Sequence, residues 1–396
     1  MEGVADLICL SHLRWGFVFQ RPNHLMVRFA RKGRTFFFEE PIFEDGLAAA
    51  DAFLEEIEVA PALRVVVPHL PTGLEAREVE SAQRRLLDAF VAAHAIRKPI
   101  LWFYTPMALS FAGHIDARAV VYDCMDELTA FRGASADLRG QELELLRRAD
   151  VVFTGGESLY EAKKTQHRNV HAFPSSVDVS HFAKAREAGA IDPPDQSPLP
   201  GPRLGYFGVV DERIDLELLA RTADADPSWQ IVVVGPVVKI DPDELPRRAN
   251  IHYLGQKTYD ELPAYVAGWD VALMPFALNE ATRFISPTKT LEYMAAGKPI
   301  VSTAIRDVIS PYGEQSLVRI GDHETFTSEI RAALLEPRGP RAAADAFLST
   351  TSWDSTWQRM SEILDRTTSR IQRPSPTHTM SGSSLFEEGD VACSTI

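Results

Sequence analysis

The segment Asn279–Ser302, NEATRFISPTKTLEYMAAGKPIVS, gathers groups suited to holding a phosphate. Ser286 can cap a helix with Pro287 at its first position, where a missing N–H removes no helical bond. Gly297 ends that helix and Pro299 stops any continuation. The free N–H groups and positive dipole end at Pro287–Lys289 suit an anion. Lys289 adds a mobile positive charge in the first turn. Lys289 and Glu292 are three apart, so they share a helix face. One can meet a diphosphate while the other accepts hydrogen bonds from sugar hydroxyls. The same spacing fits a surface ion pair on a well-capped helix, and spacing alone leaves both readings open.

A second concentration of chemistry lies at VVYDCMDEL, where Asp123, Asp126 and Glu127 emerge from the end of an apolar run. A carboxylate in a closed cleft can take the proton of an attacking hydroxyl. Asp126 and Asp123 are equal candidates, and either could instead cap the following turn.

The elements that must position these residues follow a regular rhythm. Short apolar runs at Asp6–Ser11, Arg34–Phe38, Arg64–Val67, Ile100–Tyr104, Ala119–Asp123, Val151–Thr154 and Val170–Phe173 alternate with helical patterns. Continuous rather than alternating apolar runs predict strands covered on both faces, as in a parallel sheet. The rhythm breaks at AGAIDPPDQSPLPGP and restarts at Arg203. These patterns predict an α/β chain of two Rossmann-like, doubly wound domains facing a cleft. The expected divisions are a first domain at 1–184, a linker at 185–202, a second domain at 203–350, a helix near 353–366 and a disordered tail at 367–396.

Composition sets outer limits. The 396 residues suffice for two or three domains. A net charge of −14, from 55 acidic and 41 basic side chains, disfavours nucleic acid as a partner. Three cysteines are too few for a disulfide framework. No apolar run approaches a membrane span, and the N-terminus lacks the pattern of a signal peptide, so a cytoplasmic location is expected. Arg28, Arg31, Lys32 and Arg34 could still form a basic patch for peripheral membrane contact. Asp224–Asp226 and Asp241–Asp243 match a metal-binding D-x-D by letters, but both stand where caps and turns belong, so no metal or other cofactor is expected. There is no Gly-x-Gly-x-x-Gly after the first strand, no Walker loop and no Gly-x-Ser-x-Gly elbow.

The run SPTKTLEYMAAGKPIVS after a strand resembles the nucleotide-sugar site of GT-B glycosyltransferases, more narrowly the family-4-like (group 1) enzymes of bacterial cell-surface polysaccharide synthesis. The wording SHLRWGFVFQRPNHLMVRFARKG resembles a subgroup that includes teichuronic-acid glycosyltransferase-like proteins. The resemblance spans about residues 6 to 366 and implies the GT-B fold. It implies transfer of a sugar from a nucleotide diphosphate, UDP-sugar foremost, to a carbohydrate or lipid-linked acceptor. It also implies that Glu292 binds the ribose. Lys289 and the backbone of Ser286, Pro287 and Thr288 would hold the diphosphate, Arg213 would contact the donor phosphates, and Gly208, Lys239 and Arg283 would complete the donor-binding set, with base contacts around Gly255–Thr258. In the first domain, Gly16 with Arg14, Trp15 and Arg21 would face the diphosphate and acceptor. Asp123 and Asp126 stand where such enzymes often carry a catalytic or acceptor-orienting group. His12 and His24 read as packed or surface imidazoles. Many relatives carry a second glutamate eight positions before the ribose-binding one, where this chain has Phe284. That departure leaves room for an inactive GT-B scaffold, and the shared fold leaves room for a nucleotide-sugar epimerase.

Overall fold

The computed structural model describes residues 5–187, 189, 191–336 and 341–371. The first sheet is built from β1 (Leu7–Leu10), β2 (Thr35–Phe38), β3 (Ile42–Glu44), β4 (Phe53–Ala60), β5 (Leu63–Pro71), β6 (Ile100–Phe103), β7 (Ala119–Cys124), β8 (Val151–Thr154) and β9 (Val170–Ala172). Its order is β3-β5-β2-β1-β6-β7-β8-β9, with β4 added antiparallel to β5 and the other pairs parallel. The second sheet holds β10 (Arg203–Phe207), β11 (Gln230–Val234), β12 (Ile251–Tyr253), β13 (Val271–Met274), β14 (Ile300–Ser302) and β15 (Arg319–Ile320). Its order, β12-β11-β10-β13-β14-β15, is parallel throughout. That is the doubly wound order 3-2-1-4-5-6, whose crevice for ligands lies outside the strand ends where the order reverses.

The continuous apolar runs explain the central strands. TFFF of β2 and VVFT of β8 are buried along their whole length, because helices cover both faces. β4 is different. FLEEIEVA mixes acidic with apolar residues, is largely exposed and sits at the sheet edge. β3 and β4 are an addition the sequence pattern did not predict.

The helix Trp353–Ile371 inserts Trp353, Met360 and Leu364 into the same core cluster as Leu25, Met26 and Phe29 of the helix Arg21–Phe29. Asp354 receives Arg28 at 3.0 Å and Arg31 at 2.7 Å, Asp365 faces Lys32 at 3.5 Å, and Asp6 holds Arg34 at 2.6 Å. The expected basic patch is therefore not a free one, since each of its four cations has a carboxylate partner. This helix also takes in residues 367–371, which the sequence assigned to the tail; residues 372–396 lie outside the described ones.

The proline-rich stretch after residue 190 does not run free between domains. Gln196 is fully buried, accepts from the Trp269 indole N–H and donates to the Tyr265 carbonyl. Arg203 pairs with Asp192, and Lys257 and Tyr265 both bind Asp195. Composition gave a linker here, and polar side chains fasten it to the second domain.

Candidate functional site

The second-domain wall of the cleft rises from the ends of β10 and β13. After β10, Gly208 adopts φ +133°, and a Cβ there would stand 2.3 Å from Lys289 Cε. Glycine is required on both counts: the backbone conformation, and the lysine side chain lying across it. The Lys289 ammonium sits 5.6 Å from the centre of the Tyr206 ring and forms no ion pair among the described residues. Burial pushes it down from its ordinary value while the Glu292 charge opposes the shift. Glu292 is 7% exposed and its Oε2 has no hydrogen-bond partner among the described residues. Burial pushes its carboxyl up, against Lys289 and a hydrogen bond from Thr288.

The helix carrying these residues runs Lys289–Ala295, with Thr288 at its cap position and no capping side chain. This corrects the expectation that Ser286 caps it with Pro287 at its first position. The Ser286 carbonyl instead accepts a hydrogen bond from the Ser175 hydroxyl of the first domain, at 2.6 Å. Ser286, Pro287 and Thr288 all line the cleft. Arg213 lines it too, with Nε and Nη2 held on Asp211 and Nη1 making no hydrogen bond among the described residues.

Two predicted donor contacts fall elsewhere. Arg283 is exposed, pairs with Glu280 and lies over the Phe284 ring at 5.2 Å. Phe284 packs against the first-domain core, so this stretch ties the domains together and turns Arg283 away from the cleft. Lys239 is exposed at φ +61° and sits 5.2 Å from the Phe131 ring of the first domain. It faces the opposite wall rather than the nucleotide compartment.

That compartment encloses about 630 Å³. Lys289, Glu292 and Gly208 form part of its wall, Gln256, Lys257, Thr258 and Tyr259 another, and the first-domain loop Trp15–Gln20 its cover. Gln256 donates to the Phe17 carbonyl across the cleft. A smaller space of about 110 Å³ continues inward, bounded by Arg21, Asp126, Gly155, Arg213 and Ser286–Lys289.

The first-domain wall separates the two aspartates. Asp123 is fully buried and gripped by Arg21, with Nη2 at 2.8 Å and Nε at 3.1 and 3.2 Å from its oxygens. Arg21, 3% exposed, spends its remaining Nη1 on the Phe173 carbonyl. The expectation that Asp123 could serve as the base is corrected, because its carboxylate is enclosed and already paired. Asp126 borders the inner space and makes no side-chain hydrogen bond among the described residues. Burial raises its carboxyl to about 6, against the pull of Arg213, with Asp211 adding to the rise.

Trp15 and Gly16 line the large compartment. Arg14 is turned to Glu39, at 3.1 Å, and to the Pro41 carbonyl. Glu39 also accepts from the Trp15 backbone N–H, so Arg14 and Glu39 shape the loop instead of meeting the cleft. His24 stacks on Trp353 at 4.7 Å, and burial pushes it to about 3. Burial likewise pushes His12 to about 4. Both are neutral packed imidazoles. Asp226 holds Ser228 and Asp241 caps a short turn, as expected of caps and turns, whereas Asp224 lies within a helix and pairs with Arg248. Among the described residues no group of three or more His, Cys, Asp or Glu side chains is arranged to hold a metal ion. No described helix is long and apolar enough to cross a membrane.

Sequence reasoning missed Gln20, Gly155, Ser175 and Tyr259 in the cleft walls. Each is contributed by a loop, where no charge or spacing pattern advertises it. It also missed the Ser158 backbone N–H, which donates to Asp307 of the second domain at 3.1 Å.

With this geometry in hand, comparisons with known proteins are informative. A family model described as glycosyl transferases group 1 matches residues 201–336. The teichuronic acid biosynthesis glycosyltransferase TuaH assigned in Bacillus subtilis is 27% identical over 238 residues. That match covers 55% of this chain and 59% of the relative. Among solved structures, the sucrose-phosphate synthase of Thermosynechococcus elongatus superposes with a TM-score of 0.68 at 15% identity, covering 93% of this chain and all of the other. Anabaena HepE, in complex with UDP and glucose, gives 0.62 at 14% identity, covering 91% of this chain and 99% of the other. At such identities these structures establish the architecture alone. The chain thus has the GT-B fold, and its residues 201–336 match the group 1 glycosyltransferase model.

Proposed function

We propose that this protein transfers a sugar from a nucleotide diphosphate sugar, a UDP-sugar foremost, to a carbohydrate or lipid-linked acceptor in bacterial surface or exopolysaccharide synthesis. The observation that carries this reading is the pair Lys289 and Glu292, neither with an ion-pair partner among the described residues, lining a space of about 630 Å³ whose wall residues Gln20, Arg213, Thr288 and Lys289 also line the smaller space bordered by Asp126. Glu292 accepts from ribose hydroxyls. Lys289, Arg213 Nη1 and the helix start at Thr288 hold the diphosphate. The names of the relatives support the choice of UDP and of a surface polysaccharide.

The division of chemistry follows from the walls. Asp126 takes the proton of the acceptor hydroxyl as its oxygen bonds to the anomeric carbon. The bond from that carbon to the diphosphate breaks, and its electron pair stays on the departing oxygen. Lys289 and Arg213 stabilise the growing negative charge there, within an enclosed space where such interactions are strengthened. Two cations in that position make a divalent metal unnecessary in this proposal. The cytoplasm, where nucleotide sugars are at hand, is the proposed site of action.

The test is UDP release from UDP-sugars in the presence of envelope-derived acceptors, with EDTA present. Release that requires the acceptor supports transfer. Conversion of the UDP-sugar into another without acceptor would replace this reading by an epimerase. Tight UDP binding with no turnover on any acceptor would replace it by a scaffold.

A further inference from the structure

Tyr259 stands at the start of the short turn Tyr259–Glu261, on the nucleotide-compartment wall that also carries Gln256. Its ring is fixed from several sides. It stacks on His181 at 4.2 Å and 8°, and meets Phe19 of the first domain at 4.8 Å. His181 Nε2 donates to the Tyr259 carbonyl at 2.9 Å, so the backbone is held as well. Yet the hydroxyl, carried to a buried position by this packing, has no hydrogen-bond partner among the described residues. A buried phenol without a partner is destabilising, and a phenylalanine would fill the same aromatic stack without that penalty. Among the residues that line this compartment, the other with an unpartnered buried polar atom is Glu292, at Oε2. The two groups are close enough for the carboxylate charge to push the phenol further above its ordinary value, beyond the effect of burial. One offers an O–H to donate and the other an oxygen to accept.

We propose that the Tyr259 hydroxyl works with Glu292 in gripping the ribose of the nucleotide, the tyrosine donating to a ribose oxygen and the glutamate accepting from a ribose hydroxyl. This rests on the nucleotide-sugar reading above. It also makes Tyr259 a link between donor binding and domain approach, because the ring that carries the hydroxyl packs on Phe19 across the cleft.

Titration calorimetry of UDP, and of GDP in parallel, into the full chain tests this with Tyr259→Phe and Glu292→Gln. Loss of one hydrogen bond to a neutral group predicts that Tyr259→Phe binds nucleotide about three- to tenfold more weakly. Its Tm should equal or exceed that of the wild type, which a merely structural hydroxyl would not allow. Glu292→Gln should also weaken binding. If Tyr259→Phe binds within twofold of the wild type while Glu292→Gln is impaired, Tyr259 has no such role and the nucleotide reading survives. A drop in Tm parallel to the loss of affinity would equally overturn the role, by making the hydroxyl structural. If the wild type binds neither nucleotide, the nucleotide reading fails and the Tyr259 role falls with it.

Discussion

On the first-domain wall, Arg21 is closed on Asp123 and the Phe173 carbonyl, and Arg14 on Glu39 and the Pro41 carbonyl. On the second-domain wall, Lys289 has no ion pair among the described residues, Arg213 keeps Nη1 unbonded, and Glu292 keeps Oε2 unbonded. The first wall's arginines are closed within the protein, whereas the second wall, although Arg213 is anchored on Asp211, leaves Lys289, one Arg213 nitrogen and one Glu292 oxygen without a partner among the described residues. Asp126 is the exception on the first wall, being the carboxylate there that borders the inner space without a partner. The difference teaches where to expect rigidity and where to expect ligand. A buried pair fixes loop geometry, whereas a buried group without a partner is destabilising until a ligand supplies one.

Breaking the paired wall should chiefly unfold. Arg21→Met leaves Asp123 as a buried carboxylate without its counter-ion, and such losses destabilise by about 3–5 kcal/mol. A large drop in Tm by calorimetry is expected, and unchanged Tm would show that the pair is not structural. Breaking the unpaired wall should chiefly cost affinity. Lys289→Met removes a charged hydrogen bond to phosphate, an effect of about ten- to a hundredfold in UDP dissociation constant. Its Tm should not fall, since the ammonium is desolvated and has no ion pair to lose. Equal affinity in the variant would sever the lysine from the nucleotide.

The pH profile sharpens the contrast further. Asp126 accepts a proton only when ionised, and its carboxyl is raised to about 6. Activity should therefore fall about tenfold between pH 7 and pH 5, as the base becomes protonated. The smallest effect is expected at the rim. Gln256→Ala removes the hydrogen bond to Phe17 and should raise the KM for the donor about two- to tenfold without changing Tm.

Much of the second wall was legible in the sequence because it is contiguous. Ser286, Pro287, Thr288, Lys289 and Glu292 lie within seven positions of one another, and the structure lines the cleft with all of them. The capping assignment failed within that run because the helix starts at Lys289, two residues beyond Pro287, while the Ser286 backbone is tied to Ser175, more than a hundred residues away. Arg283 misled for a similar reason. Proximity in sequence placed it with the donor set, but Phe284 packing on the first domain turns it outward. The first wall is assembled from segments near residues 14–21, 123–126, 155 and 173–175, so charge alone could not separate Asp123 from Asp126. What separates them is Arg21, 102 positions from Asp123 in the chain. The parallel sheets were readable from continuous apolar runs. β4 was not, because an exposed, acidic edge strand has neither a buried face nor a continuous apolar run.

The division of labour between the walls is tested most directly by Asp126→Asn, measured at pH 8 for both UDP affinity and acceptor-dependent UDP release. Folding raises the Asp126 carboxyl above its unfolded value of 3.8 to about 6, so above pH 6 the ionised group is destabilising to the folded state. The asparagine variant should keep or raise its Tm there. UDP affinity should stay within twofold of the wild type and release should slow by about a hundred- to ten-thousandfold. Release at the wild-type rate, or a loss of UDP affinity as large as the loss of release, would contradict that division.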